Sequence, residues 1–207
     1  LFGFGIFNYW TNNIDNLLIG KFLTAAALGI YERAFGLMIL PVQQISRVLS
    51  RVMFPALSRI SKDQKKVKEV FLRANRAIAL VTAPMMLGLL VVAKPFILAL
   101  YGPKWEAVIP ILQIFCLLGL YRSVVTTVGW IYLSQGRTDT QFRWGIFSGI
   151  VRIAAIIIGI RWGTMGVATA LVIVTYAVLF YPAWVIPGRL INLSFSSGKP
   201  TLIRIYS

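Results

Sequence analysis

Two arginines fall where a membrane-embedded helix should carry none. Arg122 lies near the middle of an apolar stretch over 108–133, with Ser123 beside it and Thr126 and Trp130 following at i+4 steps. Arg152 lies near the middle of a second stretch, 142–160, one turn after Ser148. A guanidinium at the centre of a hydrocarbon layer costs about 2.5–3.5 kcal/mol even on the mild insertion scale. Two of them without a neighbouring carboxylate point to a water-filled lumen and an incoming anion. The planar fork of arginine suits a phosphate group, which it binds bidentately. Pairing with Asp15, or with backbone carbonyls, is the competing account.

A second group sits near the start of the chain. Asn8, Thr11, Asn12 and Asp15 are spaced i, i+3, i+4, i+7 and so share one helical face, with Tyr9 and Trp10 beside them. Such a stripe cannot face lipid and must meet protein or a hydrated cavity. Amides, a hydroxyl and aromatic rings suit sugar hydroxyls and sugar faces, and a hydrogen-bonded seam between helices explains the same pattern. Gln43, Arg47 and Arg51 form an i, i+4, i+8 row. Arginines snorkelling to headgroups account for that row, and Arg47 also stands as a candidate substrate contact. The candidate substrate-binding set is therefore Arg122, Arg152, Asp15, Asn8, Asn12 and Arg47.

Catalysis finds little support. The chain has no His, and its six acidic residues are scattered, so neither a metal cluster nor a positioned base is available to a glycosyl- or phosphotransferase. No cofactor or metal is expected. Asp15 is the one carboxylate at depth that could couple transport to a proton or sodium gradient. Cys116, the only cysteine, lies inside an apolar stretch and reads as a small hydrophobe.

The elements that must position these groups are long apolar segments near 1–23, 25–49, 77–100, 108–133, 142–160 and 166–186. Each is long enough to cross about 30 Å of hydrocarbon at ~1.5 Å per helical residue. Hydrophobic residues make up 58% of the chain and the mean hydropathy is +0.78, far above a soluble domain. The net charge of +15 does not indicate a nucleic-acid binder, because the Lys and Arg sit between spans or at their ends rather than on a solvated face. The expected fold is all-α, a polytopic transmembrane six-helix bundle over 1–187 with a polar tail over 188–207. The chain opens Leu1-Phe2-Gly3 without an initiator Met or a basic leader, and reads as a piece of a longer protein without a signal peptide.

Charge sets the expected orientation. Arg59, Lys62, Lys65, Lys66, Lys68, Arg73 and Arg76 crowd one gap, read as a basic loop over 59–76, opposed only by Asp63 and Glu69. Twelve Lys and Arg fall in gaps on that side, against three (Lys21, Lys104, Arg161) on the other. The positive-inside rule places the basic loop and the tail in the cytoplasm. Glu32 and Arg33 read as interfacial charges on the outer side. Turns are expected at 101–105, 134–137 and 161–166, where Gly102, Gly136, Gly163 and Pro103 break the apolar runs. Pro41 and Pro84 fall inside spans, and Gly145, Gly149 and Gly159 are small enough to let helices approach closely.

Several stretches together resemble the oligosaccharide (polysaccharide) flippases of the multidrug/oligosaccharidyl-lipid/polysaccharide exporter superfamily. They are Asp15-Asn16-Leu17-Leu18-Ile19-Gly20 with Leu28-Gly29-Ile30-Tyr31, then Phe54-Pro55-Ala56-Leu57-Ser58. Further on come Tyr101-Gly102-Pro103-Lys104-Trp105, Gly136-Arg137 and Gly163-Thr164-Met165-Gly166-Val167-Ala168. The resemblance covers Leu1 to about Pro187 and corresponds to the later half of such a protein, from its seventh helix. It implies one half of a two-bundle, MATE-like transporter in a bacterial inner membrane. That transporter would move undecaprenyl-diphosphate-linked oligosaccharide across the bilayer by alternating access, for polysaccharide biosynthesis. The implied partners are membrane lipid, the lipid-linked glycan, a missing N-terminal bundle or a second copy, and the polysaccharide polymerase machinery. A cationic cavity is usual in related exporters, which agrees with Arg122 and Arg152, but no residue carries over as a ligand. The tail from Asn192 departs from the pattern, since further helices would be expected there. A cation-coupled drug exporter of the same superfamily is the alternative, although only Asp15 offers the carboxylate that a cationic drug wants. A non-transporting membrane assembly subunit is the third reading.

Overall fold

The computed structural model of the chain describes residues 14–60 and 63–190, the Phe54 side chain excepted. Among these residues every regular element is helical, and they form an all-α, polytopic bundle. A helix over 14–22 (α1) is followed by α2 (Ala25–Arg59), α3 (Gln64–Tyr101), α4 (Val108–Val125), α5 (Val128–Ser134), α6 (Thr138–Gly159), α7 (Gly163–Val174) and α8 (Phe180–Leu190). Thr24 ends the first run and starts the second: its hydroxyl caps α2 by accepting from the Ala27 N–H at 3.1 Å.

Four helical stretches are long and apolar enough to cross a membrane: Ala25–Arg59, Gln64–Tyr101, Val108–Ser134 and Thr138–Leu190. The last reverses at Gly163, whose φ of 69° is the left-handed conformation that glycine adopts without strain. Its two arms, α6 and α7–α8, run antiparallel and pack closely near the turn. A Cβ on Gly159 would lie 2.7 Å from the Gly166 carbonyl oxygen and 2.8 Å from the Val167 Cα, so only glycine permits this approach. Gly145, by contrast, would meet nothing within 4 Å. It leaves open space rather than a helix contact, which corrects the expectation for that position.

The main departure from expectation concerns the basic segment. The region read as a loop over 59–76 is largely helix: α2 continues to Arg59, α3 begins at Gln64, and Asp63 caps α3 by accepting from the Lys66 N–H. Charged residues end an apolar window without ending a helix. Val67, Phe71, Ala74 and Ile78 keep one apolar stripe through the basic stretch. That stripe packs on Leu57, Trp130, Ile131, Tyr132 and Trp184. At ~1.5 Å per residue, α2 and α3 are roughly 52 and 57 Å long, so both overrun a ~30 Å hydrocarbon layer at this end.

The interior divides into two apolar clusters along the bundle axis. One, toward the basic end, is the cluster just described. The other, toward the far end, holds Tyr31, Met38, Met86, Ile97, Leu112, Phe115 and Val167. Side chains such as Leu80, Leu87, Val91, Ile150 and Ile157 stay exposed, as a lipid-facing surface requires.

Candidate functional site

Arg122 sits where the two apolar clusters meet on α4, after Leu118 of one and before Val124 of the other. It lies twelve residues before Ser134, roughly 18 Å along the helix, and Arg152 lies fourteen residues after Thr138, roughly 21 Å. The 134–138 turn reverses the chain between them, and α7, which packs on both α4 and α6, completes the space that the two arginines share. They line one pocket of 220 Å³ with Asp15 of α1, Phe35 of α2, Tyr121, Trp144, Ser148 and Thr175.

The local chemistry holds the cations in place with no described carboxylate within 4 Å of either, although Asp15 lines the same pocket and Arg152 is held in part by a backbone carbonyl. Arg122 lies over the Phe35 ring, 5.0 Å from its centroid, a cation–π contact that uses the face of the guanidinium and leaves its N–H edge available. Arg152 donates from Nε to the Ser148 carbonyl at 3.2 Å and from Nη2 to the Ser148 hydroxyl at 3.4 Å. Asp15 faces the same pocket, but its carboxylate accepts from the Tyr31 hydroxyl at 3.1 Å and from the Asn16 N–H at 3.1 Å. Among the described residues, ion pairs within 4 Å are Lys66–Asp63 and Arg73–Glu69, both on the basic extension. Neither pocket arginine is clasped by a described carboxylate.

Arg122, Phe35 and Thr126 also form a wall of a second, larger groove of 660 Å³ lined by Gln43, Ser46, Arg47, Ser50 and Trp130. This groove runs along α2 toward the basic end, and the Ser46 and Thr126 hydroxyls bridge it at 3.1 Å. The two cavities share Arg122, so an anion entering along Arg47 would meet Arg122 before Arg152. The inner pocket is below the ~300 Å³ of ordinary small-molecule sites, which fits a compact charged headgroup rather than a sugar chain.

Of the sequence candidates, Arg122, Arg152 and Asp15 come together in one pocket and Arg47 in the adjoining groove. Arg51 is exposed and lines neither. Asn8 and Asn12, with Thr11, lie outside the described residues. Phe35, Tyr121, Trp144 and Thr175 line the pocket without having been singled out. Trp144 was within reach, since Trp144, Ser148 and Arg152 step by four along α6. Thr175 opens a π-helical turn, Thr175–Leu179, whose extra residue per turn turns both Thr175 and Leu179 toward the pocket. Nothing in the local sequence announces that turn.

Residues 1–110 match the family described as polysaccharide biosynthesis protein. The lipopolysaccharide biosynthesis protein WzxC of Escherichia coli (strain K12) is 30% identical over 214 residues, taking in 98% of this chain and 44% of WzxC. The teichuronic acid biosynthesis protein TuaB of Bacillus subtilis (strain 168) is 38% identical over 132 residues, 64% of this chain and 27% of TuaB. The succinoglycan biosynthesis transport protein ExoT of Rhizobium meliloti (strain 1021) is 25% identical over 190 residues, 90% of this chain and 38% of ExoT. The chain thus spans less than half the length of these curated relatives. No solved structure matches it.

Proposed function

The chain belongs to the polysaccharide biosynthesis protein family, and on that premise we propose that it is one bundle of a flippase for a lipid-diphosphate-linked oligosaccharide. The carrier lipid is undecaprenyl diphosphate and the membrane is the bacterial inner membrane. The basic segment 59–76 and the tail face the cytoplasm. The remaining length of the protein, or a second copy of this chain, supplies the facing bundle, and the two expose a shared cavity to one side and then the other.

The observation that carries this reading is the placement of Arg122 and Arg152 in one pocket, without an ion-paired carboxylate among the described residues. A diphosphate is the small, multiply charged anion such a pair suits, and each guanidinium can offer it a fork of N–H donors. The headgroup enters the groove at Arg47, is passed to Arg122 and settles between Arg122 and Arg152, while the polyprenyl tail stays among acyl chains. A buried charge on the headgroup is thereby met by fixed cations instead of by hydrocarbon. This is transport without covalent chemistry, in keeping with relatives named for biosynthesis and transport.

The test is Arg122→Ala in the intact protein, expressed in its own strain in place of wild type. Polymer export should cease while the protein remains in the membrane at wild-type abundance. Normal polymer production by that variant would refute the role given to Arg122.

A further inference from the structure

At the end of α2 opposite Arg47, a third groove of 370 Å³ is cut between α2 and the 101–105 turn, within the ~300–1,000 Å³ range of small-molecule sites. Its floor is glycine: a Cβ at Gly29 or Gly36 would meet no heavy atom within 4 Å. Its walls are Tyr101 and Trp105, with ring centroids 5.9 Å apart and planes inclined by 56°. The Arg33 guanidinium lies 5.3 Å from each ring centroid. Stacking occupies the faces of the guanidinium and leaves its N–H edge free to donate. Glu32, beside it in the same groove, is exposed and forms no ion pair within 4 Å with a described residue.

The groove lies on a continuous face of α2. Gly29, Glu32, Gly36, Gln43, Arg47 and Ser50 recur at three- and four-residue steps or their sums, so they line up along the helix. From Gly29 to Ser50 this face is roughly 31 Å long, about one hydrocarbon thickness. Gln43 and Arg47 are exposed on it; an amide without a partner is costly against hydrocarbon, and the arginine must either snorkel to headgroups or meet water. The face therefore looks onto an aqueous path or a protein neighbour, with a groove at each end.

We propose that the far groove is a sugar-binding subsite that takes a pyranose ring of the transported glycan at the outward end of the path. The proposal rests on the flippase reading. A sugar ring has an apolar C–H face and a rim of hydroxyls that both donate and accept. Trp105 and Tyr101 are part-exposed in the groove, and the ring surface that Arg33 does not cover is offered to the first. Glu32 accepts and Arg33 donates to the second, the complementary pair that a rim of hydroxyls needs. A phosphate would want donors alone and would be repelled by Glu32, so the chemistry here differs from that of the Arg122–Arg152 pocket.

The experiment measures binding of two probes to the intact protein in nanodiscs. One probe is bare undecaprenyl diphosphate; the other is undecaprenyl diphosphate bearing the oligosaccharide extracted from the source strain. Gly36→Leu fills the floor while leaving Arg33 on its rings. It should weaken the glycan-bearing lipid about tenfold and leave the bare lipid within about twofold. Trp105→Ala should do the same, and Trp105→Phe, which keeps a flat ring, should recover most of the loss. Gly36→Leu binding both probes like wild type, or losing both in equal proportion, overturns the subsite. Arg122→Ala binding bare lipid as tightly as wild type overturns the flippase reading instead, leaving the two failures distinguishable.

Discussion

Removing a pocket arginine should weaken diphosphate binding without weakening the protein, and the structure sets the size of both effects. A hydrogen bond to a charged group contributes about 1.5–3 kcal/mol, so losing one such bond costs about 10- to 150-fold in affinity. Arg122→Ala and Arg152→Ala should each fall in that range for bare undecaprenyl diphosphate. The double variant should lose less than the product of the two, because both guanidiniums meet the same anion. Arg122→Lys keeps the charge but not the fork and should be intermediate. Stability should move the other way. Arg122 gives up a Phe35 contact worth about 0.5–2 kcal/mol, but its removal also relieves the partial desolvation of a cation that no described carboxylate meets within 4 Å. The Arg122→Ala protein should therefore melt at or above the wild-type temperature in the same detergent. Lipid titration and thermal unfolding on the same preparations decide the matter. A variant that binds bare lipid within threefold of wild type while melting lower would show that Arg122 holds the fold together and does not wait for a ligand.

Three further outcomes follow from the packing. Thr127 is fully buried and its hydroxyl proton is shared between the Asn75 Oδ1 at 2.7 Å and the Val124 carbonyl at 2.6 Å, so Thr127→Val should lower stability by about 1–3 kcal/mol, and the double change with Asn75→Leu should recover part of it; an unchanged melting temperature for Thr127→Val refutes the hydroxyl's role. Gly159→Ala must push the Gly166–Val167 backbone aside and should sharply reduce folded protein in the membrane, whereas Gly145→Ala, with open space around it, should be tolerated; equal yields of the two contradict the close approach. The Lys66 N–H bond to Asp63 holds its carboxyl below the ordinary value of 3.8. A lowered folded value means that the stabilisation is full above the ordinary pKa and fades as pH falls through the lower, folded one. The melting difference between wild type and Asp63→Ala should accordingly persist at neutral pH and shrink in acid; a gap that widens in acid contradicts the cap.

Some of this was legible in the residues and some was not, for identifiable reasons. Arg122 and Arg152 stand out because a membrane makes isolated cations costly, and that cost does not depend on knowing the fold. The turns at Gly102, Gly136 and Gly163 were readable because each adopts the left-handed backbone that glycine allows: φ is 80°, 64° and 69°. The basic segment misled because hydropathy registers charge, whereas helix continuity depends on spacing, and Val67, Phe71, Ala74 and Ile78 keep the spacing. Phe35 was invisible as a site residue, since a phenylalanine in an apolar span looks like core until a guanidinium is found over it. Arg33 likewise read as an interfacial charge, and only the fold brings it onto the rings of Tyr101 and Trp105, some seventy residues away in sequence.

On the reading proposed above, the Arg122–Arg152 pocket carries a diphosphate headgroup across the membrane. The most direct measurement reconstitutes the intact protein in liposomes loaded on one side with undecaprenyl-diphosphate oligosaccharide and follows its appearance in the other leaflet. Wild type should move the lipid, and the Arg122→Ala, Arg152→Ala double variant, folded and inserted to the same extent, should not. Transfer at the wild-type rate by the double variant would contradict the account.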